Sequence, residues 1–444
     1  MITAKNVCAI FALQGMAVLL NQLSLTTKKF ADAFIAQSSL LNMASLMTTV
    51  IMSAILFFSL IWITNRTSSR FASTIMLIAL TIILLILTTF ILPYWKYSPA
   101  HLVAWSKKLD SYSDYFIFLV ASAPFVKTHA LLGIYGVFSL SFVFWQTANS
   151  ISSRRDAYAF YPLLTITFGG LHFGAQWIIK KGLGLLIPSM AHHSVLLPMA
   201  CCTAMLVPVL LVFLASMHIL PPGVQKNQLT QGALSIVRAC ICDRHLRAYT
   251  LTNTMGMLSI GLVTAYVMDM NVLVYHEMLF SPQHWPTYNC AFVWSMLLIC
   301  ATIAYVVLNL YTPVMLIRIF AGALLALGCG VAMLLPNKNV HISLSLLYGI
   351  LAIKGCKHAL FTVPKQIIYM GWSAEYRLKI KAFVDLCVDR LALLLGGVAY
   401  VIMRAVQVEY GCPFYPTIGL SITILAAVML WQSRFLHALV NPKD

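Results

Sequence analysis

The 444-residue chain is 61% hydrophobic and only 9% charged, with 29 Lys and Arg against 12 Asp and Glu and a formal net charge of +17. Soluble domains carry about 25% charged residues, so this composition excludes a water-soluble core and calls for lipid as solvent. Uncharged runs of roughly 20 residues recur, each long enough for a helix across hydrocarbon, and they are continuous rather than alternating, which excludes a barrel. The cations are scattered over short loops instead of forming a basic face, the pattern of membrane topology and not of nucleic-acid binding.

Hydropathy predicts helices over Val7–Leu25, Leu40–Thr64, Phe71–Tyr94, His129–Asn149, Tyr158–Ile179 and Val195–Leu220. The first run follows a single Lys5, is longer than a signal-peptide core and has no small-residue cleavage pattern behind it, so it reads as a retained helix. Asp110–Val126, ahead of the fourth helix, is mixed enough to lie along the membrane surface as easily as to enter it. A polar stretch then opens with Pro221-Pro222-Gly223 and carries Lys226, Arg238, Arg244 and Arg247. Further helices are predicted over Ala248–Met270, Tyr288–Leu310, Val314–Leu335, Ile342–Phe361, Phe383–Met403 and Tyr415–Leu439. The reading is an all-α membrane protein of about twelve helices: a six-helix bundle over 1–220, a cytoplasmic linker over 221–247 and a second six-helix bundle over 248–444.

With the N-terminus in the cytoplasm, Arg66, Arg70, Arg154, Arg155, Lys365, Arg377, Lys379, Lys381 and Arg434 fall inside, and the external loops of the second half hold almost no Lys or Arg. Both termini are then cytoplasmic. Asn65-Arg-Thr67 matches a glycosylation acceptor on the wrong side. Most cysteines, among them Cys290, Cys300, Cys329 and Cys356, stand singly in apolar runs as small hydrophobes, so no disulfide framework is expected. Cys240-Ile-Cys242 is too closely spaced for zinc, and neither a metal nor a cofactor is expected.

Charges at bilayer depth cost about 3 kcal/mol each on insertion scales, so those that persist call for a reason. Lys354, Lys357 and His358, at i, i+3 and i+4, give one helix face that can hold an anion; the plainer alternative is that Lys357 and His358 snorkel to headgroups. Lys381, Asp385 and Asp389 form a ladder at i, i+4 and i+8 with Arg390 beside it, a gating or proton-coupling set unless the acids merely complement a helix N-terminus. Arg318 reads as a topology anchor, and His172 and His192-His193 as packing residues, since no carboxylate or cysteine partners stand near them. No Walker A loop, Gly-x-Ser-x-Gly elbow or His-Glu-x-x-His occurs, and no nucleophile, base and orienter assemble, so an enzyme is not expected.

Two stretches resemble the ATP/ADP translocase family of nucleotide transporters. Phe144-Trp145-Gln-Thr-Ala148-Asn149 followed by Asp156-Ala157-Tyr-Ala-Phe160-Tyr161-Pro162-Leu163 is similar to that family's FWxxAN and DEAxxFYPL elements. Lys354-Gly-Cys-Lys357-His-Ala-Leu-Phe361, then Lys365, Tyr369, Glu375, Arg377, Lys379, Lys381, Asp385, Arg390-Leu391 and Gly396-Gly397, resembles its KxxKYxLFDxTKEMAY segment and the lysine-rich run after it. The departures are specific: the family's acid in helix 4 falls at Gly133, its glutamate in helix 7 at Thr264, and the lysine of its RLGKSGG element near Leu393. The lysine near helix 1 has a counterpart at Lys28 or Lys29.

The resemblance implies a 6+6 major-facilitator-like fold and a secondary transporter of nucleotides, by ATP/ADP exchange or uptake, in a bacterial inner membrane. It implies substrate contacts from Lys28, Lys29, Lys354, Lys357 and Arg390, base stacking on Trp145 and a polar contact at Asn149, with Lys381, Asp385 and Asp389 for gating or coupling. Partners are the anionic substrate and the bilayer, with a monomer expected. Two alternatives stay open: a proton-coupled carrier of another organic anion, with Asp385 or Asp389 titrating, and a degenerate, non-transporting scaffold.

Overall fold

Apolar runs without proline or polar breaks satisfy their backbone groups internally as helices, and the chain does this almost throughout. The computed structural model describes residues 4–35, 39–106, 108, 112–186, 196–220, 232–277, 285–333, 348–349, 351–353, 355–372, 374–410 and 414–437, which are helical with short turns and include no strand. In chain order, α1 is Ala4–Ile35, α2 Ser39–Thr64 and α3 Ser69–Leu85 with a π-helical end, Ile86–Ile91. The short α4 is Pro99–Ser106, and α5 runs through Tyr112–Val137, a π-segment Phe138–Phe144 and Trp145–Ile151. Then follow α6 (Arg154–Leu186), α7 (Leu196–Ile219), α8 (Ala233–Cys242), α9 (Arg244–Glu277), α10 (Trp285–Leu310) and α11 (Pro313–Met333). The described part of α12 is a π-segment Lys357–Thr362 and Val363–Tyr369; α13 is Ala374–Ala382, a π-segment Phe383–Val388 and Asp389–Tyr410; α14 is Phe414–Gln432 with a 3₁₀ end, Ser433–Leu436. Nine helical stretches among the described residues are long and apolar enough to cross a membrane.

Helices α5 and α1 extend beyond their sequence reading in ways that bear on the charged residues. Asp114 to Val126 is not a separate element: it is the first half of α5, buried through Phe118, Ala121 and Phe125, with Pro124 accommodated inside the helix and its carbonyl accepting a 2.8 Å hydrogen bond from Thr128 Oγ1. Helix α1 runs well past Leu25, because Thr27 is buried and its hydroxyl donates to Leu23 O at 2.8 Å, so the Lys28 backbone is helical rather than loop. The expected helix over Ile342–Phe361, the start of the linker and His192-His193 lie partly or wholly outside the described residues.

The chain divides into two units. In the first, residues 2–151 and 171–230, α1 is central and packs along α5 and α7, while α2 lies on α5 and α3. The α1 face so buried is Leu13, Gln14, Ala17, Leu20 and Ser24. Its outer surface is apolar: Ile51, Ile55, Phe58 and Trp62 on α2 are all exposed, at helical spacing. In water such a stripe is a liability; against lipid it is the required surface. Arg66 lies over the Trp62 ring, 4.0 Å from its centroid, as a cation anchored at the helix end.

The second unit is residues 152–170 and 231–444, so the first half of α6 groups with the C-terminal helices. There α9 packs on α13 and α14, and α11 on α14. Two of these crossings, α9 on α13 and α11 on α14, need glycine. A Cβ on Gly396 would lie 2.7 Å from Leu258 O, and one on Gly419 2.3 Å from Ala332 N and 2.6 Å from Gly328 O. Small residues allow backbones to approach where no hydrophobic force drives helices together.

The obstacles at Gly419 are backbone atoms, so Gly419→Ala should lower stability in detergent by about 1–3 kcal/mol, the usual cost of overpacking. Gly322→Ala, which meets nothing within 4 Å, should be near neutral in the same thermal-unfolding measurement. On α8, Cys240 is buried and Cys242 exposed. Burial pushes the Cys240 thiol up to about 11, outweighing the hydrogen bond of Thr250. The thiolate is the reactive form, so at pH 7 a maleimide should label Cys242 faster than Cys240 by on the order of a hundredfold or more, the gap closing as pH rises, read by peptide mass spectrometry.

Candidate functional site

Three helices of the C-terminal unit bring ionisable groups to one place. In α12 the ring of Pro364, which lacks an N–H, occupies the first turn after the π-segment, where no donor is needed, and Lys365, Gln366 and Tyr369 follow on one side. In α13, Lys381 ends the first α-helical piece, Asp385 lies in the π-segment and Asp389 opens the last piece. From α9 comes Asn253, with Tyr249 one turn before it.

Lys365 Nζ lies 2.7 Å from Asp385 Oδ1 and 2.9 Å from Asp389 Oδ2. Lys381 Nζ donates to the other Asp385 oxygen at 2.7 Å and to Gln366 Oε1 at 2.9 Å, and sits 5.0 Å from the centroid of the Tyr369 ring. Tyr369 OH donates to Asp385 Oδ1 at 3.1 Å, and Asn253 Nδ2 donates to Asp389 Oδ1. Tyr249 packs edge-on against Tyr369 and Trp372, with ring centroids 5.5 and 5.1 Å away. Lys365, Lys381 and Asp385 are buried, and the Asp389 side chain is the most open of the four at 15%. Taking ions out of water costs several kcal/mol each, and close pairing with every lone pair used is what offsets it. Two positive and two negative groups make the quartet neutral. Asn253 Oδ1 is buried with no donor on it.

The structure therefore unites the three residues expected for gating or coupling, but not as a simple ladder. Lys381 and Asp385 pair at i, i+4 as expected. Asp389 instead turns to Lys365 on another helix. Lys365 is the main residue the sequence reading placed elsewhere: taken as a cytoplasmic topology cation, it is buried at the centre of the network. The signal was present, since Lys365 is the one charge in the apolar run Leu360–Met370, the criterion that singled out Lys354. Lys379, also assigned to topology, is fully buried. Gln366 and Asn253 gave no signal, being uncharged polar residues in apolar helices, and Tyr369 stood out only within the stretch that carries the resemblance.

Among the substrate residues expected from the resemblance, Lys357 is half-buried at the start of α12 and Arg390 is half-buried next to Asp389. Lys354 and the side chain of Lys29 lie outside the described residues. Lys28, Trp145 and Asn149 belong to the N-terminal unit. Lys28 Cε lies 3.8 Å from the point a Cβ on Gly133 would occupy, so the lysine stem runs past the position where the family's acid is absent. Trp145 is packed edge-on against Phe144 at 5.2 Å and Asn149 is buried. His172 is tied to α1 through Gln22 Nε2, 2.6 Å from its Nδ1. No group of three His, Cys, Asp or Glu among the described residues is arranged to hold a metal ion.

No protein-family model matches the sequence, and neither does any curated protein. Solved structures do. The E. coli fucose:proton symporter FucP aligns at 14% identity over 97% of each chain with a TM-score of 0.62. The chain has the major-facilitator fold. The proton:xylose symporter XylE, at 13% identity over 98% of this chain and 96% of that one, gives 0.59, and the nucleoside transporter NupG, at 14% over 98% and 100%, gives 0.54. Identities this low carry the fold alone.

If the quartet is a closed unit, Asp385→Asn leaves two buried ammoniums sharing one acid, and stability should fall by about 3–5 kcal/mol, read as a lower thermal-unfolding midpoint. Replacing Lys381→Met together with Asp385→Leu keeps Lys365 with Asp389 and should lose much less.

Proposed function

We propose that this protein is a secondary transporter of a nucleotide or nucleotide-like organic anion, working by alternating access of two six-helix halves, 1–220 and 248–444, joined by 221–247. The observation that carries the reading is a positive surplus inside an apolar unit. Residues 357–390 hold six Lys and Arg against three Asp and Glu. Lys365 and Lys381 pair with Asp385 and Asp389, and over the stretch as a whole the balance of charge is positive. A chain with no need for an anion would gain by losing such cations.

In this reading Lys357 and Arg390, with Lys354, Lys28 and Lys29, supply charge to phosphate groups, Arg390 by its planar fork. Trp145 and Asn149, both packed within their unit, position the helix that carries them. The quartet acts as the gate: Lys365 is almost equidistant from two acids, so it can shift from one to the other without becoming unpaired. We place the protein, as a monomer, in a bacterial inner membrane with both termini cytoplasmic. The resemblance to the ATP/ADP translocases supports the nucleotide, while Gly133, Thr264 and Leu393 separate this chain from that family's charge pattern.

A second reading, a proton-coupled carrier, is favoured by one observation: Asp389 is more open than Asp385, 15% against 4% of the side chain. Protonation of Asp389 would leave Lys365 to Asp385 alone.

The test is uptake into cells expressing the protein, with labelled ATP, ADP, a nucleoside monophosphate and a non-nucleotide organic anion, with and without preloaded counter-substrate. Saturable nucleotide uptake, lowered at least tenfold in kcat/KM by Arg390→Ala, is the expected result. Uptake that follows an imposed proton gradient and loses that dependence in Asp389→Asn would replace it with the second reading.

A further inference from the structure

Sequence spacing put Cys300 and Cys356 singly in separate apolar runs; the fold brings them together. Cys300 lies in α10 and Cys356 immediately before the π-segment of α12, 56 residues on, and their Sγ atoms are 2.9 Å apart. The approach is built in. A Cβ on the neighbouring Gly355 would lie 2.8 Å from Val293 O and 3.1 Å from Met296 Cβ, so only glycine lets this stretch lie so close to α10. The π-segment that follows packs on the same helix. Cys300 is buried, Cys356 is half-buried, and neither takes part in the ion network. A disulfide has sulfurs about 2.05 Å apart, so closing the bond asks for a movement under about 1 Å.

We propose that Cys300 and Cys356 form a redox modification site, a thiol pair that a peroxide converts to a reversible disulfide tying α10 to the start of α12. Hydrogen peroxide, small and uncharged, oxidises one sulfur to a sulfenic acid and leaves as water. The second thiol attacks that sulfur, the S–O bond breaks, and a second water departs. Two thiols lose two electrons and two protons, and one peroxide takes up both. The bond fixes the segment carrying Lys357 and Lys365 against its neighbour, and a thiol reductant restores the pair. Nothing in this step depends on which substrate is carried.

The experiment treats the purified full-length protein in detergent with hydrogen peroxide, blocks remaining thiols with N-ethylmaleimide and maps peptides by mass spectrometry. Thermal unfolding is followed in parallel. The expected result is a joined peptide containing residues 300 and 356 in most molecules, lost on dithiothreitol and absent in Cys300→Ser and Cys356→Ser. The unfolding midpoint should rise by several degrees in the oxidised wild type and stay unchanged in oxidised Cys300→Ser. Maleimide or sulfinate on both residues, with no joined peptide, would overturn the proposal. So would a joined peptide whose reduction leaves the midpoint unmoved, since the bond would then tie nothing.

Discussion

One ammonium, that of Lys365, holds the C-terminal unit in register. It is buried, it reaches a carboxylate oxygen of Asp385 and one of Asp389 at nearly equal distance, and it comes from a different helix than either acid. The other members of the network bond to those two acids and to each other. Lys381 takes the second oxygen of Asp385, Tyr369 caps the first, and Asn253 brings α9 to Asp389. In a low-dielectric surround an unmatched ion is far more costly than a matched one, so α9, α12 and α13 cannot slide independently. A cation shared between two acids stays paired if either contact lengthens.

The backbone around the network is equally particular. Four π-helical segments occur among the described residues, and two of them lie in the helices that supply the quartet's charges. Such segments are rare in ordinary helices and gather at functional sites. Their effect here is on register. The segment Phe383–Val388 bonds Asp389 N to Val384 O, one residue wider than an α-turn, and resets the face on which everything after Val388 appears.

That register change marks where the sequence stops being legible. Hydropathy located most helices because lipid demands long apolar runs, and it fell short where polar residues dilute a run, at residues 112–126. A period of 3.6 correctly paired Lys381 with Asp385, then failed one turn later, because a π-segment cannot be read from side chains alone. Lys365 was misread for another reason. Counting cations for topology assumes that they face the cytoplasm, and it overrode the local sign of a single charge in the apolar run Leu360–Met370, which is held by acids twenty and twenty-four residues on. Cys300 and Cys356 looked single because a pair across helices leaves no trace in spacing.

The distribution of charge between the units has a consequence for how the molecule works. Among the described residues, every lysine or aspartate buried below a tenth exposure, namely Lys365, Lys379, Lys381 and Asp385, is in the C-terminal unit. The buried polar residues of the N-terminal unit are neutral: Gln14, Asn21, Gln22, His129 and Asn149 among them. Glycine at 133 is part of that pattern, since an acid there would stand beside the Lys28 stem and create in this unit the kind of pair that the other one holds. Buried charge is thus concentrated in one unit, while the other offers hydrogen bonds without charge. Hydrogen bonds to neutral groups change little between states, whereas ion pairs in a low dielectric respond strongly to any charge that arrives beside them. The unit that carries the quartet is therefore the one whose packing is sensitive to a change of charge beside it.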